Sequence, residues 1–294
     1  GNDLTLTANG VSDSDGTIAQ VEFYRDSNGS SSLEAGTDQL LGTDTSSAGG
    51  WAWTGATTSF DLDTNRYFAR AQDDESDWSS TVTATSVVND VITVTPADDL
   101  IAIIESAPDD TVIRLTAGTF NLSVNAPFNQ GILIQDKTNL TITGQGWDNT
   151  TIKLPSNTSF GFYIGSNVHN LTLKNMQIEG TTPLSTNTHG IGNFSGSTNI
   201  TNVTYSELRL KDIAVGISAA TAVSGVLNGI TITNNVIENT IGLDPGWGYG
   251  IHLENATNAV VADNLIQNAT RHSIYLARSA AGSDVTIERN TILN

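Results

Sequence analysis

The sequence predicts an all-β chain in two parts: a short-stranded β-sandwich over residues 1–89 and a right-handed parallel β-helix over 90–294. Three observations carry this. A ten-residue block recurs about every 29 residues in the second part, its apolar residues alternate with period 2, and composition changes near Asn89. At 294 residues the chain is long enough for two domains of roughly 150 residues each. It holds 31 acidic and 12 basic residues, a net charge of −19, which argues against nucleic acid, whose affinity comes from Lys and Arg. No apolar run approaches the roughly 18 residues that span a bilayer. With no cysteine there is no disulfide, thiol catalysis or cysteine zinc site. No signal peptide is read in the sequence, whose start at Gly1-Asn2-Asp3 is as expected of a mature product, and a monomer is expected.

Residues 1–90 carry 15 acidic and 3 basic residues but only 5 of the 28 asparagines. Leu4 and Leu6 alternate with threonines, and Ile18, Val21, Phe23 and Tyr24 form a second apolar stretch. Trp51 and Trp53 alternate in a third, and Tyr67, Phe68, Ala69 and Ala71 begin a final pair that closes with Val82. Short strands separated by polar turns predict a sandwich. The stretches Ser12-Asp13-Ser14-Asp15-Gly16-Thr17-Ile18, Val21-Glu22-Phe23-Tyr24 and Arg66-Tyr67-Phe68-Ala69-Arg70-Ala71-Gln72-Asp73 resemble bacterial immunoglobulin-like modules of secreted and surface proteins. That resemblance implies a spacer or presenting module. Asp26 and Asn28 begin a loop with oxygen ligands at alternate positions, as in a Ca2+ loop, but Ser31 replaces the glycine of the sixth position and Thr37 the acid of the twelfth. A solvated hairpin is the plainer reading.

In the second part, residues 230–239 (ITITNNVIEN) align without gaps on 259–268 (AVVADNLIQN) and 285–294 (VTIERNTILN), with further copies starting at 140, 171 and 203. Positions 1, 3 and 8 are apolar in nearly every copy. Between the copies a small residue precedes an apolar one, as in Gly161-Phe162, Gly190-Ile191, Gly216-Ile217, Gly250-Ile251 and Ser273-Ile274. Each unit thus carries at least two short strands and cannot bury its own apolar face, so neighbours must stack as coils. Asn235, Asn264 and Asn290 are expected to form a ladder in one turn. Upstream, Leu100, Ile103 and Ile104 have helical spacing after Pro96-Ala97-Asp98, predicting a helix that plugs the open end of the solenoid. The helix and the strands after it resemble the start of the pectate-lyase-like β-helix superfamily, from about 91 to 294. The last block stops in mid-coil at Asn294, which predicts a continuation in the natural protein.

The resemblance implies action on an extracellular polysaccharide, by a secreted or surface-displayed protein. If Ile251 and Leu253 point inward, the outward column of the second strand is Tyr163, Gly192, Ser218, His252, Tyr275, and the next contains Ala220, Glu254 and Ala277. The predicted catalytic group is His252, Glu254, Arg271, Tyr275 and Asp244. Trp247, Tyr249, Arg278, His272 and Tyr163 are the predicted sugar contacts, with residues 243–249 as a protruding rim. In a lyase an arginine would neutralise a uronate carboxylate while His252 or Tyr275 removes the adjacent proton. A hydrolase needs two carboxyl groups about 5–9.5 Å apart, and only Asp244 is available to partner Glu254. The lyase is slightly favoured. His272 shares the parity of Ile274 and is equally readable as inward. Neither Trp-x-Asp-His nor Arg-x-Pro-x-x-Arg of pectate lyases is present, and Thr188-His189-Gly190 only partly echoes the polygalacturonase set. A non-catalytic adhesin or stalk therefore stands as the alternative.

Overall fold

The computed structural model describes residues 3–57, 63–88, 90–123, 130–184, 187–193, 197–220, 226–277 and 284–293. The chain divides into two compact units, Gly1–Asp90 and Val91–Asn294. In the first, the strands Gln39–Asp44, Ile18–Arg25, Asp63–Asp73 and Val82–Val88 form an antiparallel sheet in that spatial order, and Asp3–Ala8 pairs with Trp51–Ala56. Alternation places Val21, Phe23, Ala69 and Ala71 on one face, where they pack with Trp51.

The second unit is a parallel β-solenoid. Its six-stranded sheet stacks Gln130–Ile134, Phe160–Ile164, His189–Gly192, Val215–Ala220, Tyr249–Glu254 and His272–Ala277 in sequence order, one strand per coil. The recurring block supplies the other walls. Its third position forms the inward column Ile142, Leu173, Tyr205, Ile232 and Val261, and its eighth forms Ile178, Leu210, Ile237 and Ile266. All are buried, each contributing roughly 1.5–3 kcal/mol by leaving water.

The block is two strands joined by a corner, so a coil has three strands where the sequence indicated at least two. The fifth position makes the corner in the left-handed conformation: Asn175, Glu207, Asn234, Asp263 and Arg289 all have φ between 52° and 57°. Asparagine and aspartate tolerate that region best, which explains their abundance here. The sixth position points inward. In the later coils it is the expected ladder: Asn235 Nδ2 donates to Asn264 Oδ1 at 2.9 Å, and Asn264 Nδ2 to Asn290 Oδ1 at 2.9 Å. In earlier coils the same position holds the buried apolar Met176 and Leu208.

Helix Leu100–Ser106 starts at Asp99, whose carboxylate accepts the Ala102 N–H at 3.1 Å. It buries Leu100, Ile101 and Ile104 in the solenoid core, and Glu105 accepts the Leu133 N–H of the first strand in the six-stranded sheet. At the opposite end Ile287, Ile292 and Leu293 are exposed.

Candidate active site

The six-stranded sheet carries the site, and its glycines shape it. Coil by coil the strands run in register, with Tyr163, Gly192, Ser218, His252 and Tyr275 in one outward column and Ala220, Glu254 and Ala277 in another. One step before the inward apolar residues Phe162, Ile191, Ile217, Ile251 and Ile274 sit Gly161, Gly190, Gly216, Gly250 and Ser273. A methyl on Gly216 or Gly250 would strike Ile237 or Ile266 inside the coil, at 2.7 and 2.6 Å. Two successive residues thus face the core, and the residue before the glycine is turned outward. For this reason His272 is exposed and stacked on Tyr249 and Tyr275 rather than directed inward with Ile274.

Four rings consequently form a two-by-two lattice on the last two coils. Tyr249 and His272 are vertical neighbours with centroids 5.7 Å apart, as are His252 and Tyr275 at 5.3 Å. Within each strand the pairs Tyr249–His252 and His272–Tyr275 stand at 5.4 and 5.2 Å. The interplanar angles of these pairs are 19–24°. The Arg271 guanidinium lies 5.1 Å over the Tyr249 ring and donates to the Gly246 carbonyl, which ties it to the loop. His252 Nδ1 is 3.3 Å from Ser218 Oγ, and its Nε2 is 3.8 Å from Glu254 Oε2. Burial lowers the His252 pKa below its ordinary value although Glu254 pulls the other way, so the ring is neutral at pH 7. Burial likewise raises the Tyr249 phenol.

His252, Glu254, Arg271, His272, Tyr275 and Tyr249 are thereby brought together. The others lie apart. Tyr249 itself is not a rim residue: it opens a strand and is only 6% exposed. Trp247 is half-buried, with its ring against His189 at 5.2 Å. Asp244 accepts from Asn187 Nδ2 at 2.9 Å, and Tyr163, three coils from Tyr275's neighbour His252, pairs with Ser197 at 3.2 Å. Glu254 has Ala220 and Ala277 as vertical neighbours, so the column supplies it no second carboxylate. Arg278 lies outside the described residues. In the first unit, Asp26 Oδ1 accepts the Gly29 N–H at 2.7 Å and Asn28 Oδ1 the Ser30 N–H at 2.9 Å, so backbone amides use both proposed Ca2+ ligands. Among the described residues no group of three or more His, Asp or Glu gathers as a metal site.

Sequence reasoning passed over His189. It heads its strand as Tyr249 heads the next but one, is 8% exposed, and stacks on Phe160 at 4.7 Å. The signal was its place before Gly190, at the position that the glycine turns outward.

A family model for the right-handed β-helix region matches residues 166–294. No curated protein matches the chain. Among solved structures, the catalytic domain of a GH87 α-1,3-glucanase in complex with nigerose is similar at 15% identity and a TM-score of 0.50, over 97% of this chain and 53% of that one. Pectate lyase PelI from Erwinia chrysanthemi is similar at 10% identity and a TM-score of 0.37, over 100% of this chain and 99% of that one. The PL6 family alginate lyase AlyGC shares 16% identity over 69% of this chain and 40% of that chain, with a TM-score of 0.33. The likeness to the glucanase shows a common fold, and this chain spans about half the length of that domain. No helix is long and apolar enough to cross a membrane among the described residues.

Proposed function

We propose that the solenoid is the working body of a secreted or surface-displayed enzyme that cleaves an acidic polysaccharide by β-elimination. The observation that carries this reading is the neutral His252 set in a lattice of aromatic rings within one strand of Arg271. In the proposed reaction Arg271 pairs with the uronate carboxylate and so stabilises the carbanion-like charge that develops beside it. His252 donates Nδ1–H to Ser218 Oγ and takes the proton on the carbon next to the carboxylate through Nε2. Electrons from that C–H bond form the new carbon–carbon double bond, the glycosidic C–O bond breaks, and Tyr275 O–H protonates the leaving oxygen. Glu254, 3.8 Å from Nε2, stabilises the imidazolium that results. Tyr249 and His272 offer ring edges to the polymer. A general base in such a role is worth about 10²–10⁴-fold in rate.

In the same reading residues 1–89 are an immunoglobulin-like module that presents the solenoid of residues 90–294, and the helix Leu100–Ser106 is its cap. Incubating the full chain with a panel of acidic and neutral polysaccharides tests the reaction through two readouts. Ultraviolet absorbance together with new reducing ends supports elimination. New reducing ends without absorbance assign hydrolysis instead, with Glu254 and Asp244 as the acids to examine. Binding without either readout assigns the solenoid to adhesion.

A further inference from the structure

The block that starts at Leu140 departs from the others. Thr143 pairs with Lys174 and Thr151 with Gln177, so seven residues, 144–150, round a corner that the next coil turns with Asn175 and Met176 alone. The extra residues form a loop, and the loop is fixed. Gly146 N–H donates to the Asn175 carbonyl at 2.9 Å, Gly146 O accepts the Asn149 and Thr150 N–H groups at 3.0 and 2.9 Å, and Asn149 O accepts the Gly118 N–H at 2.8 Å. Beside the loop lies a surface cavity of about 260 Å³, lined by Gly146, Trp147, Asp148, Asn149, Asn175 and Glu207. Trp147 is half-buried there and Glu207 exposed, and neither side chain has a hydrogen-bond or ion-pair partner among the described residues. Asn175 and Glu207 hold the same place on successive coils, about 4.8 Å apart. Glu207 is also the wrong residue for the corner itself. Asn175, Asn234 and Asp263 are of the types that tolerate the left-handed conformation, and Arg289 is bonded to Asp263 at 2.8 Å. Glu207 takes φ 54° with no such bond, so its carboxylate is explained by what it faces and not by the turn.

We propose that this corner is a second saccharide site, away from the lattice of rings, and that it takes one uncharged pyranose unit of a polysaccharide. The C–H face of the sugar stacks on the Trp147 indole, and its hydroxyls donate to the Glu207 carboxylate in charge-assisted hydrogen bonds. No Lys, Arg or His lines the cavity, and Asp148 brings a second carboxylate, so a uronate is repelled and finds no cation to pair with. An aromatic face beside a few placed polar groups is the usual make-up of a small-ligand pocket. Such pockets start at about 300 Å³, so this one holds a single ring. The hydrogen bonds of the loop are made without the ligand, and little order is lost when it binds. The site does not depend on the elimination described above: it anchors the protein on a neutral polysaccharide whatever the rings of the last coils do.

The test is calorimetric titration of the full chain with neutral gluco-, manno- and xylo-oligosaccharides, and with uronate-containing and amine-bearing ones for comparison. The wild type binds at least one neutral series. Trp147→Ala weakens that binding about tenfold or more and leaves the response to uronates as it was. Glu207→Asn separates binding from structure. Asparagine suits the corner better, so the variant melts no lower than the wild type, yet it loses about tenfold or more in affinity, the worth of a hydrogen bond to a charged group. Neutral oligosaccharides that do not bind, or that bind either variant as tightly as the wild type, overturn the proposal. So does Trp147-dependent binding confined to the amine-bearing series. If cleavage of an acidic polysaccharide depends on His252 while Trp147→Ala alters no binding, the enzyme reading stands and this site falls. If Trp147→Ala abolishes neutral binding and no polysaccharide is cleaved, this site stands and the enzyme reading falls.

Discussion

Acid should unfold the solenoid in part through a single residue. His189 has an ordinary pKa of 6.5 when the chain is unfolded and about 3 when folded. Between those values the unfolded chain binds a proton that the native one refuses. The stabilisation tied to this is fully present above 6.5 and is lost as pH falls toward 3. At pH 4.5 the loss is two pKa steps at 1.36 kcal/mol each, about 2.7 kcal/mol. His189→Leu removes the linkage, and it also removes the unpartnered Nδ1, which is worth about 1–3 kcal/mol at any pH. The variant should therefore exceed the wild type by about 1–3 kcal/mol at pH 7 and by about 4–6 kcal/mol at pH 4.5. Other acid-sensitive groups, apart from His252, which interacts with His189, are shared by both proteins and drop out of the difference. Urea unfolding followed by far-ultraviolet circular dichroism, at half-unit intervals from pH 7 to 4.5, measures the gap. In melting temperature the change between the two ends is about 5–10 °C for a unit of this size. A gap that stays constant across that range refutes a buried, neutral His189.

Other perturbations address the ladder, the glycine column and the reaction. Asn264→Ala removes donors to Ile232 O and Asn290 Oδ1 and the acceptor of the Asn235 N–H, all at 2.9–3.0 Å, and should cost about 3–5 kcal/mol in urea unfolding. Gly250→Ala forces a methyl onto Ile266 Cγ2, 2.6 Å away, and onto the Ser273 carbonyl; a cost of about 1–3 kcal/mol is expected, and an unchanged midpoint would show that the strand does not bend as described. His252→Ala should lower kcat by about 10²–10⁴-fold without changing the circular dichroism spectrum. Glu254→Gln removes the charge that raises the His252 pKa, so the acid limb of kcat/KM should move to lower pH; movement to higher pH contradicts the assigned base.

Much of this molecule was legible in its sequence because a solenoid is nearly one-dimensional. Each coil touches only its neighbours, so the copies that align in sequence, such as Ile232 with Val261, are the residues that stack. The same logic puts His252 over Tyr275 and Glu254 over Ala277, as the strands pair. It erred where the backbone departs from strict alternation. Counting by twos from Ile274 leaves His272 free to point inward, whereas the glycine column turns the strand-opening residues outward and adds Tyr249 and His272 to the rings.

The sequence by itself determined the period, the inward columns, the asparagine ladder and the outward neighbours of His252, since all of these depend only on residues one coil apart in register. Tertiary structure alone decided that the ten-residue block bends through a left-handed corner into two strands. It alone decided that Asp244 is held by Asn187 rather than by Glu254's column, and that His189 is left with a bare nitrogen over Gly192. Those outcomes depend on how rings and loops from different walls of a coil meet, and a one-dimensional repeat carries no record of contacts made around the turn rather than along the stack.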